Sequence, residues 1–85
     1  MIWTLAVDKA VKKTLHRIPR KDAERIFQVI QDLSLNPYAG DIQRMKGEAD
    51  VWRRRVGAYR IFYEVLSARK IVYVYEVKRR TSKTY

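Results

Sequence analysis

The stretch VWRRRVGAYRIFYEVL, residues 51–66, decides the predicted fold. Its two halves lie on either side of Gly57 and are rich in β-branched and aromatic residues, a composition typical of strands. The glycine lets the chain turn, so the two halves are predicted to pair. IVYVYEV at 71–77 has the same character and follows LSARK at 66–70, which is short enough for a hairpin loop. These segments predict a mostly antiparallel sheet.

The N-terminal half has helical periodicity after one short strand, IWTLAV at 2–7. Asp8 can cap the first helix, since its carboxylate can accept hydrogen bonds from free backbone N–H groups. That helix extends to about Ile18, where Pro19 ends it. A second helix is predicted from the spacing i, i+3, i+4, i+7, i+10 of its apolar residues. These residues are Ala23, Ile26, Phe27, Ile30 and Leu33.

The order of the segments predicts the architecture. Asn36 and Pro37 stop the second helix, and IQRM at 42–45 can form one further short strand. The resulting order is β-α-α-β-β-β, with that extra strand optional. We therefore expect a single α+β domain over residues 1–85, in which two helices pack on one face of a small twisted sheet.

Charge is distributed unevenly along the chain. The 85 residues carry 19 Lys and Arg against 9 Asp and Glu, a formal net charge of +10. Residues 1–50 hold nine bases and seven acids, whereas residues 51–85 hold ten bases and two acids. Nucleic acids and anionic membranes attract such a field. Membrane binding favours a basic amphipathic helix, and this segment is strand-like, so nucleic acid is the predicted partner.

The sequence also excludes several classes of protein. It has no cysteine, which excludes disulfides and thiolate metal sites. No apolar run approaches about 18 residues, so no transmembrane span is predicted. The N-terminal segment MIWTLAVDKAVKK places its charges after a short apolar stretch, the reverse of a secretory signal. We expect a cytoplasmic protein that does not bind membranes.

Alternation of side chains across each strand divides the basic segment between two faces. The face against the helices is expected to hold Trp52, Val56, Tyr59, Ile61, Tyr63, Val65, Ile71, Tyr73 and Val77. The face away from the helices, here called the open face, is expected to hold Arg53, Arg55, Arg60, Glu64, Glu76, Lys78 and Arg80, around Phe62 and Val74. Arg54 is expected on the helix side with Trp52. A bulge at Gly57 would change this assignment.

Two interpretations of the open face remain. Arginines and glutamates on an exposed sheet can form cross-strand pairs, each worth about 0.2–1 kcal/mol. Five bases face two acids, however, and the excess charge favours phosphates, which the planar arginine fork binds in a bidentate manner. Phe62 could add a stacking surface for a base.

Several motifs in fixed order resemble one family. They are LSLNP at 33–37, MKG at 45–47, WRRRVGAYRIFYEV at 52–65, VYVYEVKRR at 72–80 and a tyrosine near the C-terminus. Together they resemble the RelE/ParE superfamily, the toxins of type II toxin–antitoxin modules, and its RelE-like branch in particular. The pattern W-R-x-R-x-G-x-Y-R-I-x-Y carries most of the likeness.

The resemblance implies an activity and partners. RelE-like members are ribosome-dependent endoribonucleases that cut messenger RNA in the decoding site, without a metal or other cofactor. The 2′-hydroxyl attacks the adjacent phosphate and leaves a cyclic phosphate and a free 5′-hydroxyl. The implied partners are the ribosome, messenger RNA and a RelB-like antitoxin. Two alternatives remain: a ParE-like protein that binds DNA gyrase without catalysis, and a plain RNA-binding module.

The resemblance also implies site residues. Its catalytic positions fall on Arg53, Arg55, Arg60, Arg80 and Tyr85, with Arg79 a near alternative to Arg80. The RNA-binding candidates are Arg79, Lys78, Phe62 and Lys46. Arginine stays protonated, so Tyr85 is the best candidate for the general base, and Glu64 and Glu76 are its rivals. Arg54 is expected to be dispensable, and His16 to be a surface or boundary residue with no metal role.

Overall fold

The computed structural model of the chain describes residues 2–45, 47 and 50–79. It contains a five-stranded mixed sheet with two helices packed on one face, which confirms the predicted α+β class. The strands are β1 (Thr4–Val7), β2 (Ile42–Arg44), β3 (Val51–Val56), β4 (Tyr59–Leu66) and β5 (Ile71–Arg79), and the helices are α1 (Lys9–Arg17) and α2 (Arg20–Leu33). The optional strand at 42–45 is present as β2.

The strands follow the order β1-β5-β4-β3-β2 across the sheet. β1 runs parallel to β5, and the other three neighbouring pairs are antiparallel. β3 and β4 are joined at Gly57, which has a φ of +57°, without a bulge at that position. A single 3-10 turn, Ser67–Arg69, joins β4 to β5. The parallel pair places the start of β1 beside the start of β5, with Thr4 opposite Ile71.

Local signals explain both helices. Oδ1 of Asp8 accepts a hydrogen bond from the backbone N–H of Ala10 at 2.8 Å, so Asp8 caps α1 as predicted. Pro19 separates the helices, and α2 begins at the next residue, where a preceding proline is well tolerated. Neither helix in the described part of the chain is long and apolar enough to cross a membrane.

The core lies between the helices and the inner side of the sheet. Its buried residues are Val11, Ile26, Ile30, Leu33, Val56, Tyr59, Ile61, Tyr63, Val65, Val72, Val74 and Val77. Phe27 of the predicted apolar stripe is 51% exposed, so it is not part of this core. The hydroxyl of Tyr63 donates to the carbonyl of Pro37 at 2.6 Å, which satisfies a polar group inside the core.

One bulge places several side chains of β5 on the face opposite to the predicted one. The pairing of β4 with β5 shifts between Phe62 and Tyr63, so Tyr75 is an extra residue without a partner on β4, whose eight residues are all described. A one-residue shift moves side chains to the opposite face of a strand. The expected faces are therefore wrong for three residues: Ile71 and Tyr73 lie on the open face, and Val74 is buried.

Candidate functional site

Three cations lie directly opposite one another on the open face. Arg55 of β3 pairs with Arg60 of β4, and Arg60 pairs with Lys78 of β5. Residues in such positions have Cβ atoms about 4.5–5.5 Å apart, and like charges there destabilise the sheet. These three residues are called the cationic row here, and an anion bound above them would reduce the repulsion.

Two neighbouring acids offset the cationic row only in part. Nε of Arg55 lies 3.3 Å from Oδ2 of Asp41, and Nζ of Lys78 lies 3.9 Å from Oε2 of Glu76. Both pairs are well exposed to solvent, so each contributes little. Nε of Arg60 is buried and has no hydrogen-bond partner among the described residues. An unsatisfied buried donor is costly, and an anion above Arg60 would relieve the repulsion along the row.

A second row lies beside the first. Arg53 pairs with Phe62, and Phe62 pairs with Glu76. The guanidinium of Arg53 donates from Nη2 to the neutral amide oxygen of Gln43, and Arg53 forms no ion pair within the described part of the chain. The structure thus brings together five of the predicted site residues on the open face: Arg53, Arg55, Arg60, Lys78 and Phe62.

Arg79 differs from the other basic candidates because it lies on the helix side. It pairs with Tyr59, and its Cζ lies 5.9 Å from the centroid of that ring. This is a cation–π arrangement, in which the ring attracts the guanidinium away from the open face. Lys46, Arg80 and Tyr85 lie outside the described residues.

Arg54 also lies on the helix side, as predicted. Its Nη1 donates to the carbonyl of Ala39 at 3.4 Å, and its guanidinium covers Gly40. The side chain therefore supports the loop that leads into β2 and does not reach the cationic row. Its role in binding stays a prediction.

Sequence reasoning missed an aromatic cluster on the open face. The ring centroids of Phe62 and Tyr75 are 6.4 Å apart, and those of Tyr73 and Tyr75 are 6.1 Å apart. The bulge at Tyr75 causes this arrangement. The alternation of Val72 and Val74 with tyrosines was a signal for this arrangement. Burial of the valines leaves no hydroxyl that needs a hydrogen-bond partner, whereas burial of the tyrosines would.

The two glutamates proposed as bases occupy different positions on the open face. Glu76 lies opposite Phe62, one row from the cationic row, whereas Glu64 lies opposite Tyr73, two rows away. Glu76 is thus the closer of the two to the cations. Burial is the main reason that the pKa of Tyr75 is raised, and the charges of both glutamates add to it.

A hydrogen bond joins the edge of the open face to α1. The hydroxyl of Tyr73 donates to Oδ2 of Asp8 at 2.6 Å. This bond is the main cause that lowers the pKa of Asp8 and the main cause that raises the pKa of Tyr73. The carboxylate that caps α1 therefore also fixes the outermost ring of the cluster.

Comparisons with known proteins agree with this geometry. The chain matches, over residues 1–83, the family model described as the ParE toxin of the type II toxin–antitoxin system parDE. A curated relative called RelE1, from Methanocaldococcus jannaschii, is 31% identical over 83 residues, which cover 94% of this chain and 92% of the relative.

Solved structures share the fold. An archaeal RelE–RelB complex from Pyrococcus horikoshii OT3 superposes with a TM-score of 0.84 at 25% identity, covering 98% of this chain and 100% of that chain. A RelB–RelE antitoxin–toxin complex from Methanococcus jannaschii gives a TM-score of 0.72 at 26% identity, covering 87% of this chain and 88% of that chain. The likeness therefore extends over most of the chain.

Proposed function

The chain belongs to the RelE/ParE superfamily of type II toxins, and from that premise we propose that it cuts messenger RNA on the ribosome. The observation that best supports this activity is the cationic row. Arg55, Arg60 and Lys78 stand opposite one another, and the nearby Asp41 and Glu76 leave a positive charge in excess. A phosphodiester that gains negative charge in its transition state matches such a row.

In the proposed reaction the 2′-oxygen attacks the adjacent phosphorus, and the bond from phosphorus to the 5′-oxygen breaks. The products are a cyclic phosphate and a free 5′-hydroxyl. Negative charge develops on the phosphorane, where fixed cations usually contribute the largest part of catalysis. The cationic row and Arg53 supply this charge from three adjacent strands, and Arg80 is proposed to join them.

Two protons must move in this reaction. A base takes the proton of the 2′-hydroxyl, and an acid donates one to the leaving 5′-oxygen. Arginine cannot act as the base because its pKa is above about 12. We assign that role to Tyr85, whose phenol would ionise more easily among arginines. Glu76, one row from the cations, is the better placed of the two rival glutamates.

A RelB-like antitoxin is the proposed protein partner. The structural relatives from Pyrococcus horikoshii OT3 and Methanococcus jannaschii are complexes of RelE with RelB. An acidic segment over the open face would neutralise the cationic row and exclude RNA. The ribosome and messenger RNA are the other proposed partners.

Cell-free translation tests the activity. Purified protein is added to translating ribosomes, and messenger cleavage is mapped by primer extension. Codon-positioned cuts are expected for the wild type and a loss of at least about 100-fold for Arg60→Ala, because fixed charge at a transition state is worth about that much. Arg20→Ala is the matched control, since its side chain is 90% exposed on α2 and it removes the same charge.

DNA gyrase is the second candidate target, because the matching family model is described as a ParE toxin. A supercoiling assay with the same protein separates the two. Inhibited supercoiling with intact messenger RNA would refute ribonuclease activity and assign the chain to gyrase. Cleaved messenger with normal supercoiling supports the proposal.

A further inference from the structure

We propose that Phe62, Tyr73 and Tyr75 form a platform on which bases of the bound RNA stack. The inference rests on the proposed function in one respect, since it takes single-stranded RNA as the ligand. It adds a binding subsite beside the cationic row and assigns it a chemical class of ligand, the unpaired nucleobase.

The orientation of the rings supports a stacking surface. On the open face, Phe62 and Tyr75 are inclined by 42°, and Tyr73 and Tyr75 by 32°. On the helix side, by contrast, Tyr38 meets Trp52 edge to face at 69°. Edge-to-face contact is a preferred packing of rings with one another. The smaller angles bring the three rings closer to a common orientation, and all three keep part of their surface exposed, which a planar base can cover.

The bulge gives Tyr75 its place in the platform. Tyr75 is the extra residue of β5, so its backbone has no cross-strand partner on β4. Bulges interrupt the ladder, re-aim a side chain and occur often beside active sites. Here the re-aimed side chain fills the space between Phe62 and Tyr73, which connects three rings that would otherwise be separate.

The platform is continuous with the cationic row. Nζ of Lys78 lies 6.0 Å from the centroid of Phe62, and Arg60 precedes Phe62 by two residues on β4. Two residues of a strand span about 6.8 Å, which is within the reach of one nucleotide. Phosphates on the cationic row would thus place bases over the rings.

An exposed sheet with aromatic and basic side chains is a known solution for single-stranded RNA. Sheets of RNA-recognition domains stack two or three bases on aromatic side chains, and each stacked base contributes about 1–3 kcal/mol. The competing explanation is that the three rings only stabilise the sheet as cross-strand aromatic pairs. The two explanations differ in whether binding depends on the base.

Fluorescence anisotropy of labelled oligonucleotides tests the platform without ribosomes. The probes are a 2′-O-methyl oligoadenylate, which has no 2′-hydroxyl to attack phosphorus, and the same backbone with abasic sites. The wild type is expected to bind oligoadenylate about 5- to 150-fold more tightly than the abasic probe. This ratio corresponds to the contribution of one stacked base. Equal affinity for both probes would overturn the platform and leave phosphate binding alone.

Substitutions of single rings test which side chains are responsible for base-dependent binding. Tyr75→Leu is expected to lose affinity for oligoadenylate and not for the abasic probe, whereas Tyr75→Phe keeps both. Tyr38→Leu makes the same change at an exposed tyrosine on the helix side and is the matched control. Phe62→Leu gives a second test if Tyr75→Leu does not fold. Unchanged oligoadenylate affinity in a folded Tyr75→Leu protein would refute the inference.

The salt dependence separates stacking from charge. Tyr75→Leu should leave the slope of log K against log salt unchanged, whereas Lys78→Ala should reduce it by about 0.7, the value for one phosphate of a single strand. A changed slope in Tyr75→Leu would count against stacking. Failure of messenger cleavage would refute the proposed function without affecting base-dependent binding, so the two failures are distinguishable.

Discussion

The guanidinium of Arg54 fills the space above Gly40, where a Cβ would lie 2.5 Å from Cζ of the arginine. The backbone carbonyl of the next residue, Asp41, accepts a hydrogen bond from the backbone N–H of Arg55 at 2.9 Å. Its side-chain Oδ2 lies 3.3 Å from Nε of the same arginine. One loop is therefore held by Arg54 from the helix side and by Arg55 from the open face. This loop links a supporting arginine to the cationic row.

Gly40→Ala should destabilise the protein. Gly40 has a φ of +89°, which costs an alanine about 1–3 kcal/mol, and displacement of Arg54 weakens its hydrogen bond to Ala39. Urea unfolding measures the loss. Gly47→Ala is the matched control, since Gly47 has a φ of +92° but no atom of the described residues within 4 Å of a built Cβ. Equal losses at the two glycines would show that Arg54 moves at no cost.

Arg54 should be dispensable for RNA binding, in contrast to its neighbour Arg55. Arg54→Ala is expected to keep the affinity for oligoadenylate within about twofold, while Arg55→Ala lowers the salt slope by about 0.7. The reason is position: Arg54 contacts Ala39 on the helix side, and Arg55 belongs to the cationic row. The same anisotropy titration, repeated at several salt concentrations, decides between them. A reduced slope in Arg54→Ala would contradict this assignment.

Arg60→Gln should make the folded protein more stable at low salt. It removes the middle charge of the cationic row, so the free energy of unfolding is expected to rise by about 0.2–1 kcal/mol. The gain should shrink between about 0.01 M and about 1 M salt, since the Debye length falls from about 30 to about 3 Å. Urea unfolding at both concentrations, with Arg69→Gln as the exposed control, tests this. A loss of stability at low salt would mean that repulsion in the row is absent.

The hydrogen bond between Tyr73 and Asp8 should be detectable in an acid titration of Asp8. The pKa of Asp8 is lowered from its ordinary 3.8, so its contribution to stability is present above pH 3.8 and is lost as the pH falls through the lower folded value. Tyr73→Phe removes the main cause and should raise the pKa of Asp8 toward 3.8. NMR titration of the Asp8 carboxyl measures the change. A pKa that does not move would assign the shift to the N–H of Ala10 instead.

Tyr63 should titrate near the alkaline end of the range. Burial raises its pKa from 10.0 to about 12, so the stabilisation is complete below pH 10.0 and is lost as the pH rises through about 12. Tyr63→Phe should remove the last tyrosinate step in an ultraviolet titration. It should also cost about 1–3 kcal/mol, because the carbonyl of Pro37 loses its donor. Retention of that step would mean that another tyrosine is responsible.

Local signals were sufficient for much of the fold. Asp8 and Pro19 mark the start and end of α1, and Gly57 marks the turn between β3 and β4. Each of these residues acts through its own backbone or its nearest neighbours, so the sequence pattern contains the information. The grouping of Arg53, Arg55 and Arg60 followed from simple alternation, because the turn at Gly57 adds no bulge.

Long-range pairing explains what the pattern did not predict. The strict alternation of β5 continues through Tyr75 in the sequence, and either set of its residues includes apolar side chains. Contact with Tyr63 and Val65 on β4 selects Val72 and Val74 for the core. That choice requires one unpaired residue, and the energy that favours it comes from a neighbouring strand. The alternation along β5 therefore allowed either face, and pairing with β4 decided which side chains form the aromatic cluster.

The position of β5 has a consequence during synthesis. Although β5 is the final described strand along the chain, it lies between β1 and β4 and pairs with both. Until it has been made, β1 lacks its neighbour, β4 has an open edge, and Arg60 has no Lys78 opposite it. Such distant pairings form slowly and late. A growing chain therefore carries no assembled cationic row until β5 has been synthesised and has paired with β4.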